Sequence, residues 1–208
     1  MKALLSAFIT VWLMLLQISV AQANVTQKDP KAMVQGLSDV IINTLNAKRA
    51  EFESSNEKVL AFADQYVLPY VDTEKMARYA LGRYWRTATE AQQQAFTKAF
   101  TESLIRSYSQ NFLKLNIEKV EVGDVREDKP GRVSIDSEVF QQGGQPVSVV
   151  YRAFQDQQTG KWMLYDVVIE NVSMLLSYRT VYSSAVSSKG LDKVIAELQE
   201  KNRQAIAQ

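Results

Sequence analysis

Tyr165 and Asp166 form the one adjacent pair in this chain that invites catalytic chemistry, since a buried carboxylate can carry a proton beside a phenolic donor. On a regular strand, adjacent side chains point to opposite faces of the sheet. Both could then address one substrate only if a different tyrosine joined Asp166, so the expectation is a buried, hydrogen-bonded structural aspartate. Glu170 and Arg179 are a second polar pair, placed where a strand should end and about two helical turns later. They read either as a polar rim beside Val172, Leu175 and Tyr178, or as an ordinary helix-start acid and a surface arginine.

Other chemistries are excluded by residue type. The chain has no cysteine and no histidine, which removes thiol and imidazole nucleophiles, the usual zinc ligand sets and the commonest general base. A phosphate loop, a G-x-S-x-G elbow, a Rossmann fingerprint and H-E-x-x-H are all missing. Gly143-Gly144 is a turn pair, and the two N-x-S/T sequons at Asn24 and Asn171 carry no function. No metal or cofactor is expected.

Residues 1–23 form a secretory signal peptide: Lys2 precedes an uncharged stretch rich in Leu, Val and Ile that ends in Ala21-Gln22-Ala23. Residues 24–208 should then be one domain with a real core. Removing Lys2 leaves 23 basic and 23 acidic residues, so nucleic acid is not an expected partner and anionic membrane surfaces lose their electrostatic pull, with a local basic patch left open. No later stretch approaches the ~18 apolar residues of a spanning helix. With no cysteine after the signal to accept a lipid, the exported chain should be soluble and unanchored.

These groups must be positioned by helices at both ends of a sheet. Asp29 before Pro30, Asp72 before Thr73, the Thr89/Gln92 capping box and Ser173 each predict a helix start. Asn56 is expected to cap a short second helix that Pro69 stops. Gly82 and Gly190 should close helices. Between about Thr89 and Leu115 the longest helix presents Phe96, Phe100, Leu104, Tyr108 and Phe112 at four-residue spacing. After Asn116 the period changes to two, and four strands fit: Ile117 to Arg126, Arg132 to Gln141, Pro146 to Asp156 and Lys161 to Glu170. The last is apolar on both faces, with Leu164 and Val168 on one side and Asp166 among them, so it should lie between two layers. The class is α+β, with one twisted four-stranded antiparallel sheet wrapped by N- and C-terminal helices.

The residues at the end of the sheet carry a resemblance. Trp162, Tyr165-Asp166-Val167, Ile169-Glu170, Val172-Ser173, Tyr178-Arg179, Gly190 and Leu198 resemble the signature of the toluene-tolerance (MlaC) family of periplasmic phospholipid carriers. Upstream, Leu68-Pro69-Tyr70-Val71-Asp72, Met76-Ala77, Leu81-Gly82, Tyr84-Trp85 and the Gln92 to Phe100 segment follow the same family in the same order. The family usually has Gly where Asn171 stands, and Asn tolerates a left-handed backbone better than other non-Gly residues.

The resemblance implies a cystatin/NTF2-like cone around an apolar lipid cavity. It implies a diacyl phospholipid as cargo, membrane-anchored Mla-type donor and acceptor complexes as partners, a periplasmic monomer, and a role in outer-membrane lipid asymmetry. The lining it implies comprises Tyr70, Leu81, Trp85, Phe96, Phe100, Leu104, Val133, Ile135, Val149, Tyr151, Leu164, Val168, Val172, Leu175 and Tyr178, with Glu170 and Arg179 at the mouth or facing a partner. At ~0.8 kcal/mol per CH₂, one sixteen-carbon tail in water costs on the order of 12 kcal/mol, so lipid crosses an aqueous gap only inside a dry cavity. Composition alone does not separate a cavity from a packed core. A small hydrolase or isomerase in the same cone, or a periplasmic adaptor with a filled core, remain the alternatives.

Overall fold

In a computed structural model, residues 25–114 and 116–206 are described; the expected signal peptide lies outside them, as does the side chain of Phe112. Asp29 Oδ1 accepts the Ala32 amide hydrogen at 2.7 Å and starts α1 (Pro30–Glu53). Ser55, rather than the expected Asn56, caps α2 (Asn56–Tyr66), while the Asn56 amide donates to the Ala205 carbonyl. Pro69 then sits in a single 3-10 turn, Leu68–Tyr70. Asp72 caps α3 (Thr73–Leu81), Gly82 ends it at φ +56°, and a second 3-10 turn, Gly82–Arg86, follows. Thr89 and Gln92 exchange side chain to backbone hydrogen bonds at the start of α4 (Glu90–Lys114).

The sheet is an antiparallel meander of β1 (Ile117–Lys129), β2 (Arg132–Gln141), β3 (Val147–Gln155), β4 (Trp162–Ile169) and β5 (Val172–Ser173), in that spatial order. The fifth strand was not expected from the sequence. It exists because Glu170 and Asn171 both adopt positive φ, +47° and +65°, and so close a two-residue hairpin between Ile169 and Val172. Ser173 Oγ then accepts the Leu176 amide hydrogen and starts α5 (Met174–Lys189), and Gly190 separates that helix from α6 (Leu191–Ile206).

The core falls into separate apolar clusters. One lies among α3, α4, α5 and α6, with Phe96, Phe100 and Leu81 fully buried at its centre. A second lies where α1 covers the sheet, joining Met33, Val34 and Leu37 to Val133, Ile135, Ala153 and Leu164. Two smaller clusters tie α1 to α2, α4 and β1. Charges occupy the other face of the outer strands, where Arg126 pairs with Asp136. Among the described residues no helix is long and apolar enough to cross a membrane.

Candidate functional site

The strand that leads into α5 departs from simple alternation. Arg152 pairs with Asp166 and the next register pair is Ala153 with Leu164, which leaves Tyr165 as a bulge. Leu164 therefore faces α1, whereas Asp166 and Val168 point to the opposite side. The expectation that Leu164 and Val168 share a face fails for this reason. Tyr165 turns the same way as Asp166, stacking on Tyr79 and meeting Phe154 edge-on.

Asp166 is 2% exposed, and its carboxylate is occupied by four donors. Oδ1 accepts from the Val167 amide at 2.9 Å and the Leu175 amide at 3.0 Å; Oδ2 accepts from Ser173 Oγ at 2.7 Å and Arg152 Nη1 at 3.2 Å. Negative charge beside the first amides of α5 suits the helix dipole. The aspartate is thus a structural clasp between β4, β5 and α5, as its residue type and position suggested.

The predicted lining residues divide between the clusters. Leu81, Trp85, Phe96, Phe100 and Leu175 are buried in the helical cluster, with Leu104 and Tyr178 packed partly buried against it. Val133, Ile135 and Leu164 are buried under α1, and Tyr70 and Tyr151 pack beside them. The Val71 bridge to Leu164 and the Asp72 amide on the Leu164 carbonyl place Tyr70 there. Val149 and Val168 are buried on the two faces of the sheet, and Val172 stands exposed.

Burial is uneven along α4. In α4, Phe96, Ala99 and Phe100 are sealed, yet the six residues from Thr101 to Arg106, nearly two full turns, are all half-buried. No side of the helix is closed there and none is fully open. On the sheet face that α1 covers, Tyr151, Val167 and Ile169 also keep accessible surface. Burial nevertheless pushes the Tyr151 hydroxyl's pKa up, against the lowering influence of Ser38 and Ser137.

Tyrosine hydroxyls mark this region. Tyr178 and Tyr108 hydroxyls lie 3.3 Å apart, linking α5 to α4, and desolvation raises the Tyr108 pKa with help from that bond. Tyr182, packed against Phe96, Phe100 and Tyr178, is pushed up to about 12 by burial. On the opposite face of the sheet, burial also raises Tyr165, although Arg132 and Arg152 oppose it. Tyr108, Tyr151, Tyr165 and Tyr182 all stay neutral near pH 7. The expectation omitted Tyr182, although its place one turn after Tyr178 was a readable signal. Val167 and Ile169 were also omitted, hidden by the bulge.

Glu170 and Arg179 do not meet. The Glu170 carboxylate accepts the Ser148 amide hydrogen at 2.8 Å, while the Arg179 guanidinium lies over Gly82. A separate cavity of about 20 Å³, lined by residues including Ile105, Glu102 and Asn202, lies between α2, α4 and α6 and has room for about one water. No group of acids among the described residues could hold a metal ion.

Residues 35–200 match the family model described as MlaC protein. The chain is 22% identical over 189 residues to the intermembrane phospholipid transport system binding protein MlaC of Haemophilus influenzae, spanning 90% of this chain and 88% of that one. Its fold is similar to a phospholipid-binding protein from Ralstonia solanacearum solved in complex with a phospholipid. That similarity has a TM-score of 0.76 and 26% identity, over 85% of this chain and 98% of the other.

Proposed function

Because the chain belongs to the MlaC protein family, we propose that it is a periplasmic carrier of diacyl phospholipid in an Mla-type intermembrane transport system. It takes lipid tails into the space between α4, α5, α1 and the sheet, and moves them between outer- and inner-membrane complexes to maintain outer-membrane lipid asymmetry. The observation that carries this reading is that α4 from Thr101 to Arg106, and Tyr151, Val167 and Ile169 of the sheet, are left half-buried rather than sealed. The named relatives, one a phospholipid transport protein and the other holding a phospholipid, support it.

In this reading the fifteen lining residues have different duties. Leu104, Tyr151, Tyr178 and Val172 meet the tails, while Phe96, Phe100, Leu81 and Ile135 form walls that separate to admit them. A two-tailed lipid needs a pocket at or above the upper end of the usual ~300 to 1,000 Å³, so loading widens the space between the clusters. The headgroup stays wet beside Glu170. Four donors on Asp166 leave it no free lone pair suited to proton transfer, which supports binding without catalysis. Export removes residues 1–23 and leaves residues 24–208 as one carrier domain, a cleavage that the intact mass of the exported protein checks.

Moving tails from a bilayer into the protein exchanges one apolar environment for another, but the passage exposes them to water unless something shields them. A docked partner supplies that shield. A fluorescent-lipid transfer assay tests the reading: transfer is slow between protein-free liposomes and fast when Mla-type partners are in the membrane, with no nucleotide bound to this chain. Equal rates with and without partners would remove partner-gated exchange.

A further inference from the structure

Four large apolar side chains stand exposed among the described residues, and three of them, Val172, Leu176 and Val181, lie within ten residues at the start of α5. Val172 and Leu176, 56 and 58% exposed, stand together at the entry to α5, and Val181, 59% exposed, lies about 140° around the helix from Leu176. From Asn171 to Gly190 the chain contains no acid. Beside this face runs the 3-10 turn Gly82–Arg86. Arg179 projects from α5 onto Gly82, its Nε 3.1 Å from where a Cβ would stand, and the glycine's φ of +56° keeps that space open. Arg83 and Arg86 are one 3-10 turn apart and so point to one side.

Arg83 donates to the Tyr84 hydroxyl and lies over its ring, and the turn packs against α5. None of Arg83, Arg86 and Arg179 has a carboxylate within ion-pair distance among the described residues. A nearly neutral chain thus concentrates uncompensated positive charge beside its exposed apolar residues.

We propose that the outer face of α5 together with the Gly82–Arg86 turn is the docking surface for a protein partner whose contact patch is aliphatic at its centre and rimmed by Asp and Glu. This rests on the carrier reading, since a carrier must meet membrane-held proteins to load and unload. The residue types favour a protein over a bare bilayer. Arginine forks bind carboxylates in pairs, and interfaces are rich in arginine and poor in lysine. The exposed apolar residues are aliphatic, without the Trp and Tyr that belong to bilayer surfaces.

The test places a photoreactive residue at exposed Thr180 of the full mature chain and irradiates it with native envelope vesicles. The expected adduct is a membrane-protein segment carrying at least two acids beside aliphatic residues. The double variant R83E/R86E should lower its yield about tenfold or more, with bound phospholipid unchanged. Leu176→Asp should do the same and serves if the double variant fails to fold. Adducts only to lipid, no adduct, or an undiminished yield in folded variants would overturn the docking surface. A wild-type chain that holds no phospholipid would overturn the carrier reading separately.

Discussion

Ser173 Oγ donates a 2.7 Å hydrogen bond to the buried carboxylate of Asp166 while accepting the Leu176 amide hydrogen, so one hydroxyl joins β4 to the start of α5. Removing the acceptor strands buried donors. Asp166→Ala should cost on the order of 3 kcal/mol, whereas Ser173→Ala, which loses the cap and one bond, should cost about 1 to 2 kcal/mol. Urea unfolding checks both; an Asp166→Ala loss below that of Ser173→Ala would show that the clasp is not the aspartate.

Phe100 and Leu104 occupy one face of α4 a turn apart, yet Phe100 is sealed between Phe96, Tyr178 and Tyr182 while Leu104 is half-buried. Phe100→Ala should destabilise by about 3 to 5 kcal/mol. Leu104→Trp should leave stability within about 1 kcal/mol, because the new bulk enters open space, and should lower bound phospholipid. Equal destabilisation by the two would mean that α4 is packed alike along its length.

Stability should fall in alkali. Tyr182 has a folded pKa of about 12 against 10.0 for the free side chain, so its contribution is complete below about pH 10 and is lost as pH rises through 12. Tyr108, Tyr151 and Tyr165 shift the same way. Tyr182→Phe should flatten the decline of unfolding free energy between pH 10 and 12. A slope unchanged by the substitution would place the loss elsewhere.

Val172 is 56% exposed beside the turn that leaves the sheet. Val172→Asp should therefore change stability by no more than about 0.5 kcal/mol while reducing retained lipid, since a charge at the mouth repels tails. A folded variant with its full lipid complement would take Val172 out of the mouth.

What was legible in the sequence was local. Caps at Asp29, Asp72, Thr89 and Ser173 and the stop at Gly190 depend on neighbours three or four residues away, and all fall where expected. The sheet's class and order were also readable from the change of period. The bulge at Tyr165 was not, because a register is settled by the partner strand, and one extra residue reversed the faces of Asp166 and Val168. The two-residue β5 lay hidden in what looked like a turn, although Asn171 was correctly placed as left-handed. Four-residue spacing marked the inner face of α4, but Phe96 and Leu104 share that spacing and differ in sealing. Resemblance, rather than periodicity, supplied the idea of a cavity.

Whether phospholipid tails occupy the space between α4, α5 and the sheet is read from the organic extract of the protein purified from the periplasm without detergent. Quantitative mass spectrometry should find about one diacyl phospholipid per chain, of mixed headgroup. Protein that is folded and monodisperse yet yields no stoichiometric lipid would contradict the account.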